Sequence, residues 1–182
     1  MLSNLHITKD WTLFLDRDGV INHEKKEDYI RNWSEFKFYT ESLKALPLLA
    51  QKFSKIIITT NQKGIGKGWM TDADLAKIHD NMTQSISDLG GRIDAIFYCS
   101  DLDNGSFNRK PQPGMAFQAK ANFPSIDFTK SIMVGNRMSD MEFGRNAGMH
   151  TVYIATTHPE ARFPDTKIDY RYDNLLQFAQ AL

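Results

Sequence analysis

Four polar clusters in this sequence each follow an apolar run or the loop beyond one, and together their side chains describe a reaction. Asp16 and Asp18, two positions apart and followed by Gly19, end the run Trp11-Thr-Leu-Phe-Leu15. Thr59, Thr60 and Asn61 end the β-branched run that starts at Lys55, and Arg109 with Lys110 opens the stretch Arg-Lys-Pro-Gln-Pro-Gly. Asn136 and Asp140 follow Ser131-Ile-Met-Val-Gly135. A carboxylate can attack phosphorus and carry it as an acyl phosphate, and a second acid two residues on can exchange a proton with the leaving group and then with water. A lysine and a threonine hydroxyl can neutralise and hydrogen-bond the transferring oxygens. Clustered anions also call for a hard cation such as Mg²⁺, which takes carboxylate and carbonyl oxygens together with water and phosphate. The chemistry is metal-assisted phosphoryl transfer.

These clusters meet only if the chain between them brings them to one edge. Trp11–Leu15, Lys55–Asn61, Arg92–Cys99, Ser131–Gly135 and His150–Ile154 read as strands, with a shorter one at Ile168–Tyr170. Helical patterns intervene: Thr40, as a cap, to about Phe53; Thr71 or Asp72 to Leu89; Met115–Ala121; a segment ending at Ala147 before Gly148; and Asn174–Ala181. Strands alternating with helices imply an α/β protein, Rossmann-like, with a mostly parallel sheet covered on both faces, because parallel pairing needs crossovers. In such a sheet every strand ends at the same edge, where ligands bind. Ile21–Tyr39, aromatic and charged without a clean period, reads as a long functional loop, and Gln62–Trp69 as a flexible turn at the pocket entrance. Lys63-Gly-Ile-Gly-Lys-Gly68 lacks the spacing of a nucleotide-binding loop.

The 182 residues are expected to form a single domain, 1–182. Twenty-two basic and 22 acidic side chains cancel, and with no visible basic stripe this argues against nucleic acid and for a small phosphorylated metabolite. One cysteine, Cys99, excludes an internal disulfide framework, so a reducing, cytoplasmic setting is expected. No stretch has the ~20 apolar residues of a membrane span, and the polar lead Met1–Asp10 does not resemble a signal peptide. A monomer is the default expectation. His79 and His150 fall within helix and strand patterns and read as structural.

Asp16-Arg-Asp18-Gly19-Val20, the strand ending in Thr60-Asn61-Gln62, Arg109-Lys110-Pro111-x-Pro113-Gly114 and Val134-Gly135-Asn136-x-x-x-Asp140 together resemble the four motifs of the haloacid dehalogenase superfamily of phosphatases. The likeness runs from about Trp11 to Ile154 and is greatest to the small-cap branch that acts on heptose 1,7-bisphosphate or histidinol phosphate. It implies a minimal cap, with Asp16 as nucleophile and metal ligand and Asp18 as general acid/base whose carbonyl also binds metal. It further implies phosphate binding by Thr60 and Lys110 and a Mg²⁺ site completed by Asn136 and Asp140; Asn61 and Arg109, beside those two residues, are expected to contact the substrate phosphate as well.

Two departures qualify that implication. Asn136 stands where the superfamily usually has Asp; its amide oxygen can ligate Mg²⁺ but brings no charge, so weaker metal binding is expected. The cysteine-and-histidine zinc loop of the branch is reduced to Cys99, with Asp101 at the expected histidine position, so no zinc is expected. Two alternatives stay open: a receiver-like signalling module read by a partner while phosphorylated, and a phosphate-binding relative with weakened catalysis.

Overall fold

The computed structural model describes residues 5–25 and 28–182. Six strands, β1 (Thr12–Leu15), β2 (Lys55–Asn61), β3 (Ala95–Cys99), β4 (Ser131–Gly135), β5 (His150–Ile154) and β6 (Tyr170–Tyr172), form one sheet in the order β3-β2-β1-β4-β5-β6. Every neighbouring pair is parallel. β1 is central, with Leu15 opposite Ile58 on one side and Val134 on the other. All four of its residues are buried, which is why its sequence is a continuous apolar run rather than an alternation.

Among the described residues five helices lie between strands, α1 (Thr40–Lys52), α2 (Lys63–Gly66), α3 (Asp72–Asp88), α4 (Gly114–Asn122) and α5 (Met138–Ala147), and α6 (Leu175–Gln180) follows the last strand. The period of two sorts each strand between two layers. Leu13, Leu15, Ile56, Ile58, Ile132 and Val134 meet Leu46 and Leu49 of α1, Ile78 and Met82 of α3 and Phe178 of α6. Phe14, Ile57 and Met133 meet Met115 and Ala119 of α4 and Phe143 of α5. Each such side chain contributes about 1.5–3 kcal/mol on burial, so the two layers fix the strand register and with it the strand ends.

The local signals mostly act as expected. Thr71 caps α3 through a reciprocal pair, its Oγ1 accepting from Asp74 N at 3.1 Å while Asp74 Oδ2 accepts from Thr71 N at 3.0 Å. Four expectations shift. β3 begins at Ala95 rather than at Arg92. Tyr39, not Thr40, is the N-cap of α1, and Pro47 lies inside that helix without ending it. Lys63–Gly66 forms one turn of helix within the stretch expected as a flexible turn. The last strand sits two residues later than Ile168–Tyr170, because Ile168 packs on Met141 and Tyr153 outside the sheet.

Between β1 and α1 the described residues form an irregular rim with a 3-10 turn at Trp33–Glu35. Trp33, Phe36 and Phe38 pack on one another with ring centroids 4.9 to 6.2 Å apart. No helix among the described residues is long and apolar enough to cross a membrane.

Candidate active site

Asp16 continues β1 by one hydrogen bond, its N–H donating to Val134 O at 2.9 Å, so its carboxylate emerges at the carboxyl edge of the sheet. Lys110 comes to meet it from the β3–α4 loop. The ammonium donates to Asp16 Oδ1 at 2.8 Å and to the Thr59 carbonyl at 2.8 Å, and lies 2.7 Å from Asp140 Oδ1. One buried cation faces two buried anions. Burial lifts the Asp16 carboxyl to about 7; Lys110 opposes the rise, while the charges of Asp140 and Asp18 add to it. Burial disfavours the charged form of Lys110, yet Asp140 and Asp16 outweigh it and hold the ammonium above its usual range.

Asp18 is gripped from three sides. Arg17, whose side chain is fully buried, donates to both carboxylate oxygens at 3.0 and 2.8 Å; Asn22 Nδ2 donates at 2.9 Å and Gln62 Nε2 at 2.9 Å. Burial works against the charged form of Asp18, but the guanidinium and these donors prevail and hold its carboxyl below the usual range. Arg17 in turn contacts His79 Nε2 of α3 at 3.1 Å. Burial and the adjacent guanidinium push that imidazole down to about 3, so it is neutral and accepts from Arg17. Gln62 also donates to Thr60 Oγ1 at 2.9 Å, which leaves the Thr60 hydroxyl proton to donate elsewhere.

Asn136, fully buried at the end of β4, has one end of its amide 3.1 Å from the Asp18 carbonyl oxygen and 3.3 Å from Asp16 Oδ2. The other end is 2.6 Å from Thr157 Oγ1. With oxygen turned inward, the amide completes a set of carboxylate, carbonyl and amide oxygens with no proton between them. Such an all-oxygen set suits a hard divalent cation. Among the described residues no three His, Cys, Asp or Glu side chains are grouped to hold a metal; the candidate is a mixed set of side-chain and main-chain oxygens. Gly19 makes room for it: φ is +85°, and a Cβ there would lie 2.0 Å from Asn136 Nδ2.

These groups line a cleft of about 520 Å³ that includes Asp16, Asp18, Thr60, Asn61, Arg109, Lys110 and Asp140. Lys25, Lys67 and Arg137 add positive charge to its wall. Arg109 Nη1 is buried without a hydrogen-bond partner among the described residues, a donor suited to an anion. All seven expected site residues other than Asn136 thus border one cavity, and Asn136 lies directly behind it.

Two of them stand differently from expectation. Asn61 engages both ends of its amide with the Lys110 backbone, Nδ2 donating to the carbonyl at 3.0 Å and Oδ1 accepting from the N–H at 3.1 Å, so it braces Lys110. Asp140, expected beside the cation, has one oxygen on Lys110 and the other accepting from Arg137 N at 3.0 Å. Arg17, Asn22, Gln62, Glu24 and Thr157 join the site although the sequence assigns them no role in it. Gln62 directly follows the Thr-Thr-Asn end of β2, the one signal that could have found it; the others depend on contacts the chain pattern does not show. Cys99 is buried, and burial raises its thiol above the usual range, so it is not an activated nucleophile.

A parallel sheet with a central strand delivering paired aspartates, completed by a lysine and an Asn/Asp segment from later crossovers, marks a phosphatase of the haloacid dehalogenase superfamily. Residues 11–179 match the family model described as polynucleotide kinase 3 phosphatase, and the chain belongs to that family. It is 32% identical over 173 residues to a D-glycero-alpha-D-manno-heptose-1,7-bisphosphate 7-phosphatase of Mycobacterium tuberculosis, covering 94% of this chain and 91% of the relative. It is 36% identical over 146 residues to the enzyme of the same name from Campylobacter jejuni, covering 80% and 83%. Among solved structures, the D,D-heptose 1,7-bisphosphate phosphatase of B. bronchiseptica complexed with magnesium and phosphate superposes with a TM-score of 0.84 at 28% identity, covering 94% of this chain and 97% of that one.

Proposed function

We propose that this protein hydrolyses a phosphate monoester of a small sugar bisphosphate through a phospho-Asp16 intermediate. The observation that carries the reading is the placement of Lys110 against Asp16 at 2.8 Å in a cleft shared with Asp18 and Thr60. The named activities of the relatives above support the substrate class.

In this reading an Asp16 oxygen forms the bond to phosphorus as the ester P–O bond breaks; Asp18, which the free site holds ionised, takes up a proton when the substrate binds and gives it to the departing alkoxide. Water then attacks phosphorus, Asp18 takes up the water proton, the acyl-phosphate bond breaks and inorganic phosphate leaves. Lys110 and the Thr60 hydroxyl bind the equatorial oxygens, and Arg109 holds an anionic group of the substrate. Asn61 and Asp140 keep Lys110 in place. Asp16, the Asp18 carbonyl and the Asn136 amide oxygen would hold a Mg²⁺ ion, which supplies positive charge against the phosphoryl group when bound. Neutral overall charge supports a small substrate over a polyanion, and the single cysteine supports a reducing, cytoplasmic setting.

The test is a turnover assay with both anomers of heptose 1,7-bisphosphate, histidinol phosphate and a 3′-phosphorylated oligonucleotide, with Mg²⁺ and with chelator. The expected result is Mg²⁺-dependent phosphate release from a sugar bisphosphate, abolished in Asp16→Asn. Preference for the oligonucleotide overturns the substrate class; undiminished turnover in chelator overturns the cation site; full activity in Asp16→Asn overturns the mechanism.

A further inference from the structure

The surroundings of Asn136 assign work to two residues outside the reacting groups, on the reading of Asn136 as a cation ligand given above. Its amide is fully buried, with contacts at both ends, so its freedom is to turn end for end rather than to withdraw. The inward end meets only acceptors, Asp16 Oδ2 and the Asp18 carbonyl. The outward end meets Thr157 Oγ1 at 2.6 Å and, more distantly, Glu24 Oε2 at 3.4 Å. Thr157 is a hydroxyl and can accept from Nδ2 or donate to Oδ1 at the same distance. Glu24 is an acceptor when ionised, and Arg137 fixes it by contacts of 3.0 Å to each carboxylate oxygen.

We infer that Asn136 is a two-position group, and that Thr157 and Glu24 are the positioning residues that set its direction. Without a cation, Nδ2 turns inward and donates to Asp16 and to the Asp18 carbonyl, taking over part of the cation's role of separating these oxygens. Thr157 then donates to Oδ1. When Mg²⁺ binds, Oδ1 turns inward as its ligand, and Nδ2 turns out to Thr157 and Glu24. An aspartate at this position has no donor end, so its cation-free site sets three oxygens against one another, and its cation is held more tightly. The Asn136 site keeps its hydrogen bonds whether the cation is present or absent, at the cost of affinity.

The test uses the full ¹⁵N-labelled chain and Mg²⁺ alone. In nuclear Overhauser spectra, contact between the Asn136 side-chain NH₂ and the Thr157 methyl is expected to appear on Mg²⁺ addition and to be weak without it. By titration calorimetry, Asn136→Asp should bind Mg²⁺ roughly tenfold more tightly or better, since ligand charge sets affinity. Glu24→Gln should loosen binding by roughly tenfold, as loss of an outer partner does, and by clearly less in the Asn136→Asp background, where no amide needs turning. Thr157→Ser should preserve wild-type affinity, its hydroxyl serving both directions. An amide contact unchanged by bound Mg²⁺, or an equal Glu24→Gln effect in both backgrounds, overturns the two-position inference and leaves the cation site standing. Failure of the wild-type chain to bind Mg²⁺ at all overturns the cation site and this inference with it.

Discussion

Asn61 holds the Lys110 backbone at both of its polar groups, with contacts of 3.0 and 3.1 Å across 49 positions of sequence. The lysine is therefore placed by its main chain as well as by its ion pairs. Asn61→Ala removes both contacts while leaving the ammonium free to reach the same oxygens. We predict a fall in kcat of roughly 100-fold, as for an ångström-scale misplacement of a reacting group, with KM changed less, and about 1–2 kcal/mol of lost stability. Steady-state kinetics and urea unfolding measure the two; an unchanged kcat would show that the clasp is dispensable.

Lys110→Met leaves Asp16 and Asp140 buried without their shared cation. Breaking a buried pair in this way costs about 3–5 kcal/mol, and turnover is lost with it. Adding Asp140→Asn should recover most of the stability and none of the activity. A single variant with the wild-type unfolding midpoint would contradict the buried charge network.

His79 gives the fold an acid-sensitive point. Its partners across the helix–sheet boundary are Arg17, which disfavours a second positive charge, and Asp18, which opposes that effect more weakly; burial dominates both. The folded state holds the ring at about 3 against an ordinary value of 6.5, so between these the unfolded chain binds a proton that the folded chain does not. The contribution is complete above 6.5 and is lost as pH falls towards 3, with a slope of up to about 1.4 kcal/mol per pH unit. His79→Gln keeps an acceptor for Arg17 and does not titrate, so its stability should fall less steeply over that window. Parallel urea-unfolding profiles for the two proteins would refute the assignment.

Gly19→Ala places a methyl group where Asn136 lies and asks an L-residue to hold a φ of +85°. The backbone alone accounts for about 1–3 kcal/mol, and displacement of Asn136 should weaken Mg²⁺ binding as well. Calorimetric Mg²⁺ titration showing wild-type affinity would mean that the close approach does not govern the cation site.

Much of this architecture is legible in the chain because strands buried on both faces advertise themselves as apolar runs with polar ends. Asp16, Thr60 and Asn136 could each be assigned to the same edge of the sheet before any contact was known, since parallel strands share one carboxyl edge. The pattern fails where a residue's role depends on what lies opposite. Ile168 is apolar because it packs against Met141 and Tyr153, not because it is in a strand. Asn61 resembles a phosphate ligand by position, yet its amide is occupied by Lys110. Glu24 and Thr157 meet Asn136 across 112 and 21 positions, distances at which spacing carries no signal.

The sheet order also has a consequence for how activity arises during folding. β1 brings Asp16 to the sheet edge from the first strand, but the next two strands are added on one side of it only, and β4 must return to close the other. Lys110 reaches Asp16 across 94 positions, and its second carboxylate partner arrives only after β4. Because such long-range contacts form at a large loop-closure cost, catalysis should emerge late and all at once. The first appearance of turnover in a refolding chain would report the closing of the sheet's far half.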